Sequence, residues 1–394
     1  MAWRAKTVVQ RRWELVRAWL KGEVSKAALC RRFGVSRKTA YKWVERHAAE
    51  GRAGLADRSR APHRQAGAST AAAVKLVVAL RRRYGWGARK LLPELKRRLG
   101  EMAPSRATVE RILKRQGLTR PRRRRRRVPR YEGQRTPADR PNRVWRADHK
   151  GHFTTGDGQR GEPLTTTDGY SRYSVLLAPT SGTGEREARK AFTAAFSCHG
   201  LPDVILTDSG NPFVSTTQTG LTRLSVWWIK LGIRHERIAP GRWDQNAGHE
   251  RFHATLCEAT LSPPAPSKRA QRRRFARFQA LYNEVRPHEA LGQIPPAQLY
   301  TPSPRKLPAT LAPPAYAADM IVRRVRTNGT IKWQGKLVYI AQLLAGELLG
   351  LRQDQAGLVH IHFYAAHLGA LQARGRAWIF RRVRPPLQGR PHAP

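Results

Sequence analysis

Apolar residues recur at helical spacing through the first third of the chain. In residues 8–21 (VVQRRWELVRAWLK), Val9, Trp13, Val16 and Leu20 fall near one face of a helix. A second helix is predicted over 25–32, with Ser25 as N-cap and Gly34 as its stop. A third begins at Ser36 and carries Ala40, Trp43, Val44 and His47 on its apolar side. After a linker at 51–60 the pattern repeats. Residues 70–83 read as a helix, YGWG (84–87) breaks it, and 88–98 resume it. Residues 105–116, capped by Ser105 and stopped at Gly117, complete a second three-helix unit with Val109, Ile112 and Leu113 inward.

From Pro141 the periodicity shortens. Residues 144–153 form an alternating apolar run broken at Asp148, and 164–179 hold a strand pair with Asp168-Gly169 at its turn. An amphipathic helix over 185–197 precedes a strand at 204–206, which ends on Asp208 in a turn rich in Gly, Asn and Pro. Residues 221–231 read as a helix and 233–238 as a strand; loop residues from Gly241 then lead into a helix carrying His249, Glu250 and His253. Such alternation predicts a mixed α/β sheet. SPPAPS (262–267) interrupts the helical pattern, and 271–284 resume it with Phe275, Phe278 and Leu281 inward. Beyond a Pro-rich linker at 302–314, strands are predicted over 320–339, with turns at Asn328-Gly329 and Gly335-Lys336, then at 345–352 and 359–364. These strands suggest a small β-barrel.

Charge changes what the front helices mean. The 394 residues include 75 Lys and Arg against 27 Asp and Glu, a net +48, and residues 1–130 alone hold 38 basic against 8 acidic residues. So basic a chain calls for a polyanionic partner, nucleic acid ahead of an anionic membrane or a ribosome-like assembly. Helix, short Gly-containing turn, helix is the helix-turn-helix pattern, whose last helix enters the major groove by its N-terminal end. That end would present Arg37, Lys38, Tyr41 and Lys42, while Arg106 and Arg111 lie on the polar side of the equivalent helix in the second unit. The competing reading is a plain three-helix bundle with a solvated basic face. The run PRRRRRRVPR places Arg122, Arg123, Arg124, Arg125, Arg126 and Arg127 in an arm suited to lie along phosphates, although a targeting or RNA-binding tract would look the same. Cys30, Cys198 and Cys257 form no C-x-x-C, which supports neither a disulfide framework nor a cysteine zinc knuckle. No stretch approaches the ~18 apolar residues of a membrane span, so a soluble protein of a reducing compartment is expected.

Two strand-end aspartates, Asp148 and Asp208, and one late-helix glutamate, Glu250, are the candidate chemistry. Oxygen ligands on rigid elements suit Mg²⁺ or Mn²⁺. Two such ions ~4 Å apart can activate a nucleophilic oxygen and stabilise a leaving 3′ oxygen on phosphorus. Taken singly, each Asp could equally be a turn cap. The motif HERFH offers a rival site, because H-E-x-x-H on a helix can set two His on one zinc with Glu250 as general base. Against zinc, the following acids Glu258, Glu284 and Glu289 stand in no third-ligand motif, and the basic charge would have no purpose. His249 and His253 then lie near DNA or pack on the fold, with His249 a candidate to orient Glu250.

The segments WRADHKGHF, PLTTTDGYSRY, LTDSGNPF, PGRWDQNAGHERFHATL and YNEVRPHEALG resemble the catalytic core of insertion-sequence transposases related to retroviral integrase. The resemblance implies a ribonuclease-H-like core with an Asp-Asp-Glu metal triad on Asp148, Asp208 and Glu250, holding two Mg²⁺ or Mn²⁺ ions. It also implies that Asn246 and Gly248 precede the catalytic helix, that His249 and Arg251 flank the acid, and that residues 282–291 close the core. Ser209 departs from the Asn usual after the second acid, with Asn211 displaced, and Trp243 stands where Pro is frequent. The whole chain is then a multidomain α and α/β protein. Its expected parts are helix-turn-helix domains at 1–60 and 61–130, a core at 131–301, a linker at 302–314, a small C-terminal β-barrel at 315–383 and a disordered tail at 384–394. The implied activity is binding of mobile-element ends, metal-dependent 3′-end hydrolysis and strand transfer into double-stranded target DNA, by a homodimer or higher assembly in the nucleoid. The alternative is a catalytically inactive DNA-binding regulator descended from such an enzyme.

Overall fold

In the computed structural model of the protein, which describes residues 7–60, 69–119, 136–238, 247–375 and 377–382, the chain divides into two units, 1–70 and 71–394. The first unit contains helices α1 (Val8–Lys21), α2 (Lys26–Phe33) and α3 (Arg37–Glu50). The hydroxyls of Thr7, Ser25 and Ser36 accept from the backbone N–H groups of Gln10, Ala28 and Thr39, each satisfying a donor the helix leaves open. Gly34 ends α2 at φ 63° and donates to the carbonyls of Cys30 and Arg31, a left-handed stop that glycine adopts without strain. Leu15, Val16, Leu29, Ala40, Trp43 and Leu55 form the core, and the Cys30 thiol is buried among them.

The second unit begins with α4 (Ala71–Tyr84), α5 (Ala88–Leu99) and α6 (Arg106–Arg115), packed around Leu80, Trp86, Leu91, Leu95 and Ile112. The predicted basic arm at 121–130 lies outside the described residues.

Next comes a sheet of β1 (Val144–His149), β2 (Phe153–Thr154), β3 (Arg160–Asp168), β4 (Ser174–Thr180), β5 (Val204–Thr207) and β6 (Arg234–Arg237). β1 lies at its centre, antiparallel to β3 on one side and parallel to β5 on the other; β4 continues from β3 and β6 from β5. Helices α7 (Glu185–His199) and α8 (Arg223–Lys230) supply Phe192, Phe196 and Trp228 to a core shared with Trp145, Leu164 and Ile205. On β3, Leu164 turns into that core while its neighbour Thr165 meets α9 (Ala247–Thr260), so α9 lies on the opposite face. Phe252 and Leu256 of α9 pack with Phe275 and Phe278 of α10 (Lys268–Ala280). The two-residue β2, which pairs with the far end of β3, is absent from the predicted elements.

The C-terminal region departs from the expected closed barrel. β7 (Ile321–Arg324), β10 (Leu348–Gln353), β11 (Val359–Phe363), β12 (Ala366–Arg374) and β13 (Ala377–Arg381) form an open antiparallel sheet in the order β13-β12-β11-β10-β7. β8 (Thr330–Trp333) and β9 (Lys336–Tyr339) form a separate two-stranded ribbon. The physical reason lies after Arg324. Val325 exchanges backbone bonds with Gly346 and Glu347, the chain turns at Asn328-Gly329, and residues 330–339 are spent on a self-paired ribbon rather than on the sheet edge. Ribbon and sheet share one core through Ile331, Trp333, Leu349, Ile361 and Phe380. Val226 and Ile229 of α8 join that core, and Lys230 pairs with Glu347 at 2.7 Å. In the Pro-rich segment before it, Arg305 fastens the chain to the core by donating to the carbonyls of Pro202, Leu231 and Gly232.

Candidate active site

Asp148 is the penultimate residue of β1, and Asp208 directly follows β5. The parallel register pairs Val144, Trp145 and Arg146 with Val204, Ile205 and Leu206; carried two residues further, it sets Asp148 beside Asp208. Glu250 lies exposed in the first turn of α9. The Asp148 carboxyl is pushed up to about 7, first by burial and next by the charge of Asp208, with a smaller push from Glu250 and an opposing pull from Lys150. The three predicted acids therefore share one electrostatic neighbourhood. Crowding of this kind is relieved by a proton or a cation; carboxylate oxygens suit a hard divalent ion, and among the described residues the group whose ligand atoms lie within 4.8 Å of one another is Asp148, His249 and His253. The loop after β5 is held at both ends: Gly210 N–H donates to Asp208 Oδ1 (3.0 Å), and Asn211 Nδ2 donates to the carbonyl and hydroxyl of Thr183 (3.1 Å each). That second contact gives the displaced Asn211 a structural task.

Threonine hydroxyls fix the backbone of both aspartates. Thr165 Oγ1 donates to the Asp148 carbonyl (3.0 Å), and Thr207 Oγ1 donates to the Asp208 carbonyl (2.8 Å). Each hydroxyl also meets histidine. Thr165 Oγ1 lies 2.7 Å from Nε2 of His249 and 2.7 Å from Nε2 of His253, and Thr207 Oγ1 lies 2.9 Å from Nε2 of His235. His249 Nδ1 reaches Thr167 Oγ1 at 2.9 Å, so its partners are the β3 threonines rather than Glu250. Burial holds all three imidazoles neutral: His253 is lowered to about 3, with Lys150 and His149 adding to the effect, His235 to about 4, and His249 falls well below the ordinary value. His253 Nδ1 faces Asp148 Oδ2 at 3.9 Å.

A basic wall stands beside the start of α9. A Cβ on Gly248 would meet Arg146 Nη1 at 2.8 Å and Arg172 Nη1 at 3.1 Å, so only hydrogen leaves both guanidinium groups where they are. Burial lowers Arg172 and Arg286, and burial followed by the charge of Arg286 lowers Lys90 to about 8. The segment 282–291 braces this wall. Tyr282 packs edge-on against Phe252 and His288, and Asn283 makes a two-way bond with β4, accepting from Ser174 N–H (2.8 Å) and donating to its carbonyl (3.0 Å). Lys150, Thr165, Thr207, His235, Arg146 and Arg172 were not among the predicted site residues. Lys150 and Arg146 lie in the quoted WRADHKGHF segment, while nothing in the sequence says which hydroxyl of LTTT faces a helix.

In the first unit Arg37, Lys38, Tyr41 and Lys42 are exposed on α3, although the Tyr41 ring also packs edge-on against Trp19 at 4.9 Å. Arg106 and Arg111 are exposed on α6; Arg106 bonds Glu110 (2.8 Å) and Arg111 bonds Thr108 (3.1 Å). Arg122 to Arg127 lie outside the described residues. No helix among the described residues is long and apolar enough to cross a membrane.

Two family models described as integrase core domain match residues 138–242 and 231–296. A helix-turn-helix domain model matches 11–63, and a homeodomain-like domain model matches 39–113. Among curated proteins, the chain is 31% identical over 159 residues to an uncharacterised 39.2 kDa protein of insertion element IS476 from Xanthomonas euvesicatoria, covering 40% of this chain and 44% of that protein. It is 28% identical to an uncharacterised 31.7 kDa protein of insertion element IS407 from Burkholderia multivorans, covering 40% and 55%. The chain thus spans about half the length of these relatives. Among solved structures, the integrase catalytic core of HTLV-2 in complex with magnesium is 17% identical, with a TM-score of 0.33 over 41% of this chain and 99% of that one. A chain of the simian T-cell lymphotropic virus intasome is also 17% identical, with a TM-score of 0.36 over 76% and 100%.

Proposed function

We propose, for a chain that joins helix-turn-helix domains to an integrase core and so belongs with the insertion-sequence transposases, the activity of a DNA transposase on the ends of its own mobile element. The first reaction is hydrolysis at the element's 3′ end; in the second, the freed 3′ hydroxyl attacks a phosphodiester of target DNA and displaces a 3′ oxygen, with no covalent protein intermediate. Asp148, Asp208 and Glu250 would hold Mg²⁺ or Mn²⁺, two ions per site. When bound, such ions supply Lewis-acid activation of the attacking oxygen and charge stabilisation of the leaving one. What supports this reading is that Asp148 and Asp208 end neighbouring parallel strands, with the charge of Glu250 near enough to act on the Asp148 carboxyl.

The remaining residues bind and orient. Thr165 and Thr207 hold the main chain under the two aspartates, and the cations near the start of α9, Arg146 and Arg172 first, face the scissile strand's phosphates. Arg37, Lys38, Tyr41 and Lys42 on α3 read the major groove of the element end, Arg106 and Arg111 extend the contact, and Arg122, Arg123, Arg124, Arg125, Arg126 and Arg127 follow the backbone. Both ends must be joined in concert, so the working form is a homodimer or larger. The test is incubation of the full chain with DNA carrying the inverted repeats that flank its gene. Mg²⁺-dependent nicks at the 3′ ends are expected; binding without cleavage under Mg²⁺ and Mn²⁺ would leave the inactive regulator instead.

A further inference from the structure

The two histidines of HERFH have different surroundings, and the hydroxyl of Thr165 is what separates them. That oxygen has three polar neighbours: the Asp148 carbonyl at 3.0 Å, His249 Nε2 at 2.7 Å and His253 Nε2 at 2.7 Å. A carbonyl only accepts, so the single hydroxyl proton goes to it, and the two lone pairs must accept from the two imidazoles. Both histidines therefore carry their proton on Nε2. For His249 the inventory closes, because its Nδ1 lone pair accepts from the Thr167 hydroxyl at 2.9 Å. For His253 it stays open. Among the described residues no hydrogen bond engages its Nδ1, which lies 3.9 Å from Asp148 Oδ2, too far for the two electron-rich atoms to bond directly. One ligand atom each from Asp148, His249 and His253 lies within 4.8 Å of the others, a spacing a metal ion can bridge; with both nitrogens of His249 already bonded, Asp148 and His253 are the pair left to do so.

We propose that His253 is a further ligand of the metal site, binding through Nδ1 an ion that Asp148 also holds, so that the centre is a mixed nitrogen–oxygen site suited to Mn²⁺ or Co²⁺ better than to Mg²⁺. Thr165 then has two tasks in one atom: it fixes the main chain at Asp148 and sets the tautomer that turns a nitrogen lone pair towards the metal. The inference rests on the acids holding a divalent ion at all, as the transposase reading requires.

The test is pulsed electron paramagnetic resonance of Mn²⁺ added to the full chain. With wild type, the Mn²⁺ echo should show ¹⁴N modulation, which is replaced by the ¹⁵N pattern when the protein is grown on ¹⁵N-histidine. That measurement needs no variant and identifies a histidine directly. His253→Asp should keep Mn²⁺ bound but lose the modulation, whereas Asp148→Asn should weaken Mn²⁺ binding itself at least tenfold. Mn²⁺ bound in an Asp148-dependent way without nitrogen modulation overturns the His253 assignment and leaves the carboxylate site standing. Mn²⁺ binding that is indifferent to Asp148 overturns both. Modulation that persists in His253→Asp shifts the ligand to another histidine and also overturns the assignment.

Discussion

Thr165 can be replaced by a residue of the same shape. Thr165→Val leaves two buried imidazole N–H groups without an acceptor, each at a cost of about 1–3 kcal/mol. An unfolding free energy lower by about 3 kcal/mol is expected in urea titration, and a loss below about 1 kcal/mol would show that the histidines find other partners. Asp148 gives a pH signature. Its folded carboxyl is raised to about 7, so between roughly pH 4 and 7 the native chain binds more protons than the unfolded one. Stability from this group is present at low pH and is lost as pH rises. In EDTA, Asp148→Asn should therefore gain on wild type from pH 5 to pH 8, by about 2–3 kcal/mol, and saturating Mn²⁺ should cancel the gain. A constant difference would mean that neither burial nor the neighbouring acids raise the Asp148 carboxyl. At this scale the placement of the acids was legible, Asp148 and Asp208 at the ends of strand patterns and Glu250 on a helix pattern. Thr165 and His253 were not, because a threonine run and two helical histidines have the same periodicity whether they bond each other or solvent.

Among the elements, the front helices were the most legible. Ser25, Ser36 and Ser105 each sit at a helix start where a side-chain oxygen meets an open N–H, and Gly34 and Gly117 take the left-handed conformation that ends a helical segment. β12 went unpredicted for the opposite reason: AHLGALQAR is mostly Ala, Leu, Gly and Gln, which favour no strand, and long-range pairing with β11 decides its form. The barrel expectation failed because register between β7 and β8 is set by how the chain leaves Arg324, which no local pattern encodes. The segment around YNEVRPH is legible as a motif but not as a brace. Asn283→Ala would orphan the Ser174 N–H, while Gln279 still donates to the Ser174 carbonyl. The expected cost is about 2 kcal/mol, with faster amide exchange in α10 and β4; unchanged exchange would contradict the brace.

For the whole molecule, charge sets the terms of binding. With +48 on 394 residues, end-DNA affinity should fall steeply with salt, by about 10³–10⁵ between 50 and 200 mM if six to ten phosphates are contacted. Replacing Arg37, Lys38 and Lys42 together with Ala should leave the melting temperature unchanged, since all three are exposed. Affinity for the element end should drop at least about tenfold more than for random DNA; equal losses would make α3 a phosphate contact rather than a reader. The central claim is that Asp148, Asp208 and Glu250 form one centre for phosphodiester chemistry. Its most direct test is a strand-transfer assay joining pre-cut element ends to plasmid DNA in Mg²⁺ or Mn²⁺. Asp148→Asn, Asp208→Asn and Glu250→Gln are each predicted to lower joining by about a hundredfold or more with end binding intact, and wild-type-like joining by any one of them would contradict the account.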